Sequence, residues 1–157
     1  NISNIEKFKQ FIFRKFKNIN EDLTQQKPLF LDSKIAPSAI NLEFYDKINV
    51  LSPFGSGNPE PKFIVENLKP VNSKIVGDKH IKSVLIGDEG TSIKTIAFNA
   101  TDSELGAYLL KKNNNNTFNI AGKLSLNEWR GQKNIEFIID DISVNKNSKN
   151  TVPSSIG

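Results

Sequence analysis

The chain has 157 residues, 37% of them hydrophobic and 24% charged, with a formal net charge of +4. That length accommodates one ordinary domain, or one and a half small ones, around a modest core. The absence of cysteine excludes disulfides and thiolate metal sites, and no apolar run approaches the roughly 20 residues of a membrane span.

The chain contains no methionine, even at position 1, and Asn1 is too large for routine removal of an initiator. A segment of a longer protein is therefore expected. No secretory signal opens it, so a cytoplasmic protein with no membrane partner is expected as well. Residues 4–18 predict an amphipathic helix, because Ile5, Phe8, Ile12 and Phe16 recur at three- and four-residue spacing with lysines between them. Phe11 and Phe13 widen its apolar face, which suits either ordinary core or a partner groove. Residues 28–35 predict a short strand. A second helix is expected from Pro37 to Val50, with Pro37 at the first helical position and Ile40, Phe44, Ile48 and Leu51 along one face. A helix, a strand and a helix are too little to bury their own apolar faces, so residues 1–52 read as the end of a larger α/β domain.

Residues 53–61 interrupt this pattern with three prolines and two glycines, Pro53-Phe54-Gly55-Ser56-Gly57-Asn58-Pro59-Glu60-Pro61. Proline fixes φ and removes a donor, and glycine permits positive φ, so the segment predicts a stiff, shaped connector. Its main role is expected to be holding the C-terminal domain at a fixed angle, with any ligand contact secondary. After Pro61 the apolar period changes to two. Strands are expected at 63–66 and 71–76, as one strand bent near Pro70, then at 81–86, 92–99, 117–126 and 135–144. A short helix follows residue 101 or 102, with Thr101 as N-cap and Glu104 completing a capping box. The run Asn113–Asn116 reads as a polar loop and carries no function. Residues 145–157 are polar and are expected to be disordered. Three strands, a helix and two strands in residues 62–145 are the layout of a five-stranded OB barrel, with its helix between strands three and four. The fold class expected is thus an α+β fragment followed by an OB barrel.

An OB barrel binds oligonucleotides across strands two and three and with the loops joining strands one–two and four–five. Here the first loop is 77–80 and the second is 127–134. The second carries Trp129, the only tryptophan, with Arg130 and Lys133. An indole offers a face to a base and the cations can meet phosphates; the alternative is that Trp129 folds back to cap the barrel or packs on the neighbouring domain. Lys79 lies in the first loop. His80 and Lys82 share a strand parity, and Lys94 on the next strand can join them. These seven residues, Lys79, His80, Lys82, Lys94, Trp129, Arg130 and Lys133, form the expected nucleic-acid site. Residues 62–145 hold 11 Lys+Arg against 10 Asp+Glu, a net of +1, so binding must come from where cations stand and not from bulk charge. No metal site is expected: His80 has no second histidine beside it, and Asp140 and Asp141 are adjacent in a strand and point to opposite faces. No nucleophile triad or phosphate loop appears, and residues 55–59 do not match G-x-G-x-x-G.

The connector Leu51-Ser52-Pro53-Phe54-Gly55-Ser56-Gly57-Asn58-Pro59-Glu60-Pro61 resembles the linker of the RecJ family, bacterial single-strand-specific 5′-to-3′ DNA exonucleases. Further matches follow in order: residues 76–82 (VGDKHIK), 96–99 (IAFN), 127–131 (NEWRG) and 138–142 (IIDDI). Ser83 stands where the family usually has leucine, and Glu136-Phe137 where it usually has Gln-Leu; Glu136 brings a negative charge to the expected DNA face. The resemblance implies a DNA repair and recombination enzyme whose DHH domain holds Mn2+ or Mg2+ and whose DHH-associated domain lies opposite it. This chain carries neither an Asp-His-His nor a Gly-Gly-His motif. No catalytic residue and no cofactor is therefore assigned to it, and it is expected to be inactive alone. The partners implied are single-stranded DNA, the nuclease core, and a single-strand-binding protein or helicase. An architectural or protein-docking module is the alternative.

Overall fold

A computed structural model of the chain describes residues 33–111 and 115–145. The predicted helix over 4–18, the expected tail beyond Asn145, and Asn113 and Asn114 of the asparagine run lie outside them. The elements in order are strand β1 (Ser33–Lys34), a 3-10 turn (Pro37–Ala39), helix α1 (Leu42–Asn49), strands β2 (Phe63–Val76), β3 (His80–Ile86) and β4 (Ser92–Ala97), helix α2 (Glu104–Leu110), and strands β5 (Thr117–Trp129) and β6 (Gln132–Asn145).

Strands β2 to β6 close on themselves. β2 pairs with β3, β3 with β4, β4 with β6, β6 with β5, and β5 returns to β2. All of these pairings are antiparallel except β4–β6, which is parallel and joins Thr95 to Phe137 and Ile96 to Ile138. This is the five-stranded OB barrel. Its interior is the alternate-residue set that the period of two implies: Phe63, Val65 and Leu68 from β2, Ile81 and Leu85 from β3, Ile93 and Ala97 from β4, Phe118, Ile120 and Leu124 from β5, and Phe137 and Ile139 from β6. Three bulges bend the strands enough to close. In β2 the register slips between Val65 and Leu68, where Asn67 takes a φ of 57°, and again between Pro70 and Asn72. The second slip is where Pro70 sits, since a bulge does not call on its missing donor. The third leaves Asp140 unpaired opposite Ala121–Gly122. Gly122 is needed there, because a Cβ would lie 1.8 Å from the Ile138 carbonyl oxygen.

Ser83 points inward and is buried. Its hydroxyl meets that of Ser73 across the strand pair at 2.8 Å, and its carbonyl accepts from Thr95 Oγ1 at 3.1 Å. A polar residue thus replaces leucine without leaving an unpaired group. Asparagine also has a structural use. The Asn67 backbone N–H donates to Asn119 Oδ1 (3.1 Å), and the Asn145 amide donates to Asn67 Oδ1 (3.0 Å) and Asn119 Oδ1 (2.9 Å), which closes the first bulge.

The helices depart from expectation at their starts. Pro37 opens only the 3-10 turn. α1 begins after Asn41, whose side chain accepts from the Phe44 N–H at 2.9 Å, so the better cap fixes the start. On the exposed side of α1, Glu43 accepts from Lys47 at 2.7 Å, which holds its carboxyl below the usual carboxylate range. α2 is capped by Ser103 and not by Thr101; the Ser103 hydroxyl accepts from the Gly106 N–H at 3.1 Å. Thr101 instead reaches across to the Asp78 carbonyl. Gly106 sits against the chain that enters this helix: a Cβ would lie 1.9 Å from the Ala100 carbonyl oxygen.

The connector folds back on itself. Gly55 and Asn58 exchange backbone hydrogen bonds (2.8 and 3.1 Å), and the Asn58 side chain donates to the Leu51 (2.7 Å) and Pro53 (3.0 Å) carbonyls. The Ser52–Pro53 peptide is cis. Contrary to the expectation from glycine content, neither Gly55 nor Gly57 has φ in the left-handed region, and a Cβ on either would meet nothing within 4 Å. The folded connector lays α1 on the barrel. Ile48 belongs to the same buried cluster as the barrel residues, Phe44 meets Phe63 edge-on at 5.5 Å, and Glu60 pairs with Lys123 at 2.7 Å. A cleft of about 100 Å³ remains between them, lined by Tyr45, Phe54 and Leu124 among others. Among the described residues no helix is long and apolar enough to cross a membrane.

Candidate nucleic-acid interface

The outward-facing residues of β5, β6, β4 and β3 form one continuous exterior face. The register places Trp129 beside Gln132, Asn127 beside Asn134, Ser125 beside Glu136, and Lys123 beside Ile138. Across the parallel junction Ile138 stands next to Ile96, which pairs with Lys82. Lys94 pairs with Val84, and Lys74 of β2 with Lys82, on the same side.

Trp129 stands at one end of this face. The expected loop over 127–134 is instead a continuation of both strands, with Trp129 and Gln132 paired across a two-residue turn. Both turn residues have positive φ, 50° at Arg130 and 77° at Gly131, the type I′ geometry that matches the twist of a tight hairpin. The extended hairpin lifts the indole off the barrel. It is 70% exposed, so it does not cap the core, and the Arg130 guanidinium lies 5.7 Å from its ring centroid. Lys133 on the exposed return strand pairs with Glu128 and so projects from the opposite side of the hairpin to Trp129.

Lys79 and His80 lie at the opposite end. β3 starts where β4 ends, whereas β6 starts on the side where β4 starts. The two expected binding loops therefore flank the face instead of meeting. At about 3.3 Å per residue along β6 and then β3 or β4, they stand roughly 25 Å apart. The 77–79 turn is anchored by the Lys79 carbonyl, which accepts from the Ala100 N–H at 2.8 Å. His80 Nδ1 accepts from the Asn99 N–H at 3.0 Å, which leaves the proton of a neutral ring on Nε2. Its ring meets Phe98 edge-on, with centroids 5.2 Å apart. Phe98 itself is 52% exposed on the outer face and is not among the seven residues expected from sequence. The signal was present: Phe98 continues the parity of Lys94 and Ile96 past the strand end.

In the middle of the face the electrostatics are mixed. Lys82 Nζ lies 3.1 Å from Glu136 Oε1, and the Asn127 amide donates to the same oxygen at 3.2 Å. Lys82 is thereby neutralised by the residue that departs from the family pattern. Lys79, Lys94, Arg130 and Lys133 have no acidic partner among the described residues. Asp140 pairs with Lys62 at 2.8 Å and Asp141 accepts from the Ile142 N–H at 2.8 Å. Glu136, Asp140 and Asp141 are thus each engaged by a lysine, an amide or a backbone N–H. Among the described residues no three His, Asp or Glu side chains converge.

A family model for the RecJ OB domain matches residues 31–141, beginning ahead of the connector. The chain is 30% identical over 109 residues to the single-stranded-DNA-specific exonuclease RecJ of Bacillus subtilis (strain 168), covering 68% of this chain and 13% of that protein. It is 28% identical over 113 residues to the protein of the same name from Escherichia coli (strain K12), covering 71% of this chain and 18% of that one. A crystal structure of RecJ from Thermus thermophilus in complex with Mn2+ superposes with a TM-score of 0.50 at 25% identity, over 68% of this chain and 14% of that one. The chain thus spans less than a fifth of the length of each of these three proteins. With a family match over well more than half of its length and a barrel of the corresponding build, the chain belongs to the RecJ OB-domain family.

Proposed function

We propose that this chain is the single-stranded-DNA-binding portion of a RecJ-like 5′-to-3′ exonuclease that works in bacterial, cytoplasmic DNA repair and recombination. The observation that carries the reading is Trp129, an indole held 70% exposed on a tight hairpin with a guanidinium beside it, at the rim of an OB-barrel face. A folded protein that exposes its only tryptophan on a rigid support has a surface suited to stacking a base. The phosphates are met by Lys79, Lys94 and Arg130, which flank and cross the face, and by Lys133 on the reverse side of the hairpin, all without acidic partners among the described residues. The nuclease chemistry, with its Mn2+ or Mg2+, belongs to a DHH core, which this barrel holds against the strand. A single-strand-binding protein or a helicase is a further partner of the whole enzyme.

The test is a fluorescence titration with oligo-dT. Binding is expected to quench Trp129. With four phosphate contacts at about 0.7 each, the slope of log affinity against log salt is expected near −2.8, roughly a 50-fold loss between 50 and 200 mM salt. An unchanged signal, with no binding by a second method, overturns the reading. Incubation with Mn2+ and labelled single-stranded DNA is expected to give no cleavage above a buffer blank. Degradation there would mean that this chain carries nuclease chemistry of its own.

A second reading, a barrel that braces a nuclease core or docks a protein with little DNA affinity of its own, has one observation in its favour. Lys82, Lys123 and Lys62 are each ion-paired to a carboxylate of the same chain, which removes three cations from the surface. The same titration separates the two.

A further inference from the structure

Phe98 and His80 form a second exposed aromatic station at the end of the face opposite Trp129. Phe98 is too exposed to serve the core, and its neighbour Val76, paired with His80, is exposed as well. Two constraints hold the station rigid. The His80 ring is fixed by the hydrogen bond from the Asn99 N–H and by its edge-on contact with Phe98. Asn99 in turn is held with φ at 51°, and the next residue, Ala100, is tied by its N–H to the Lys79 carbonyl. A side chain ordered in advance loses little freedom when a ligand stacks on it.

We propose that Phe98, buttressed by His80, is a second base-stacking platform. A single strand then crosses the barrel between two aromatic stations roughly 25 Å apart. This rests on the reading of the face as a single-stranded-DNA site, and it names which residues hold the far end of the strand. The occupant is a nucleobase and not an apolar peptide because of what surrounds the ring. Lys79 stands beside it in the turn, and Lys94 and Lys74 share its side of the sheet. A spacing of about 25 Å falls within the 4 to 16 nucleotides that an OB barrel covers. An apolar docking surface, by contrast, needs contiguous apolar area, and Lys74 and Lys82 interrupt this one.

The experiment moves the reporter. In the double variant Trp129→Phe, Phe98→Trp, the sole indole stands at the second station, and oligo-dT is added to the full chain. Quenching with the salt dependence of the unaltered protein is expected. In the unaltered background, Phe98→Ala is expected to weaken binding about 5- to 150-fold, the range for one lost stacking contact, and Phe98→Leu similarly, whereas Phe98→Tyr retains affinity because it keeps a π face. Because Phe98 is half exposed, circular dichroism of each variant is expected to match the parent. If Trp129 is quenched in the unaltered protein but the indole at 98 is not, and Phe98→Ala binds as the parent does, the second platform is refuted and the DNA-binding reading survives. If the unaltered protein does not bind oligo-dT at all, both fall.

Discussion

Glu136 and Asn58 illustrate how one side chain can reverse the meaning of a stretch of sequence. The sequence offered Lys82 as a phosphate contact and Glu136 as an unfavourable neighbour. The fold joins them at 3.1 Å, on strands that never pair directly. Removing the carboxylate releases the lysine. Glu136→Gln keeps the bond from Asn127 and is expected to tighten oligo-dT binding several-fold and to steepen the salt slope by about 0.7, one added phosphate contact. A salt titration of both proteins checks it; an unchanged slope means that Lys82 does not meet the strand. In the connector, composition pointed to the glycines, but the bonds converge on Asn58. Asn58→Ala is expected to cost about 1–3 kcal/mol, since it deletes two hydrogen bonds and leaves carbonyls unmet. Gly55→Ala and Gly57→Ala are expected to leave stability unchanged or to raise it by up to about 1 kcal/mol, because neither needs positive φ and neither has a close neighbour. Urea midpoints of the three variants order them.

Strand existence was legible because a half-buried strand must alternate, and β3 alternates without exception from His80 to Ile86. Element ends were less legible, because they turn on competition between caps. Asn41 displaced Pro37, and Ser103 displaced Thr101. The hairpin over 127–134 looks like a loop in sequence because its residues are polar. Its pairing is made by backbone groups, and Arg130-Gly131 supplies the turn. Arginine is a poor occupant of a left-handed position, and asparagine a good one. Arg130→Asn is therefore expected to raise the thermal midpoint slightly while weakening oligo-dT binding, so that stability and affinity move in opposite directions. Two measurements on one variant, a melt and a titration, test that pairing. Gly106 and Gly122 act the other way. A methyl at either collides with a backbone carbonyl less than 2 Å away, and Gly106→Ala or Gly122→Ala is expected to destabilise the barrel by about 1–3 kcal/mol in spite of better intrinsic propensity.

For the molecule as a whole, α1, the connector and the barrel share one buried cluster. Ile48→Ala, in the helix and ahead of the connector, is expected to destabilise the protein by about 2–5 kcal/mol and to lower the barrel's far-ultraviolet transition with it, as a single cooperative step. Separate transitions would show that the helix is only an appendage. The period of two, the helix between strands three and four, and the positions of aromatic and basic residues were determined by the sequence alone, because side-chain alternation and turn chemistry are local. Which cations remain available, where Trp129 and Phe98 stand relative to each other, and which residue holds the connector were decided only by the tertiary structure. Those facts depend on register between strands distant in sequence, and Lys82 with Glu136 lies 54 residues apart. A charge or a ring acquires its neighbours, and so its chemistry, only when the barrel closes.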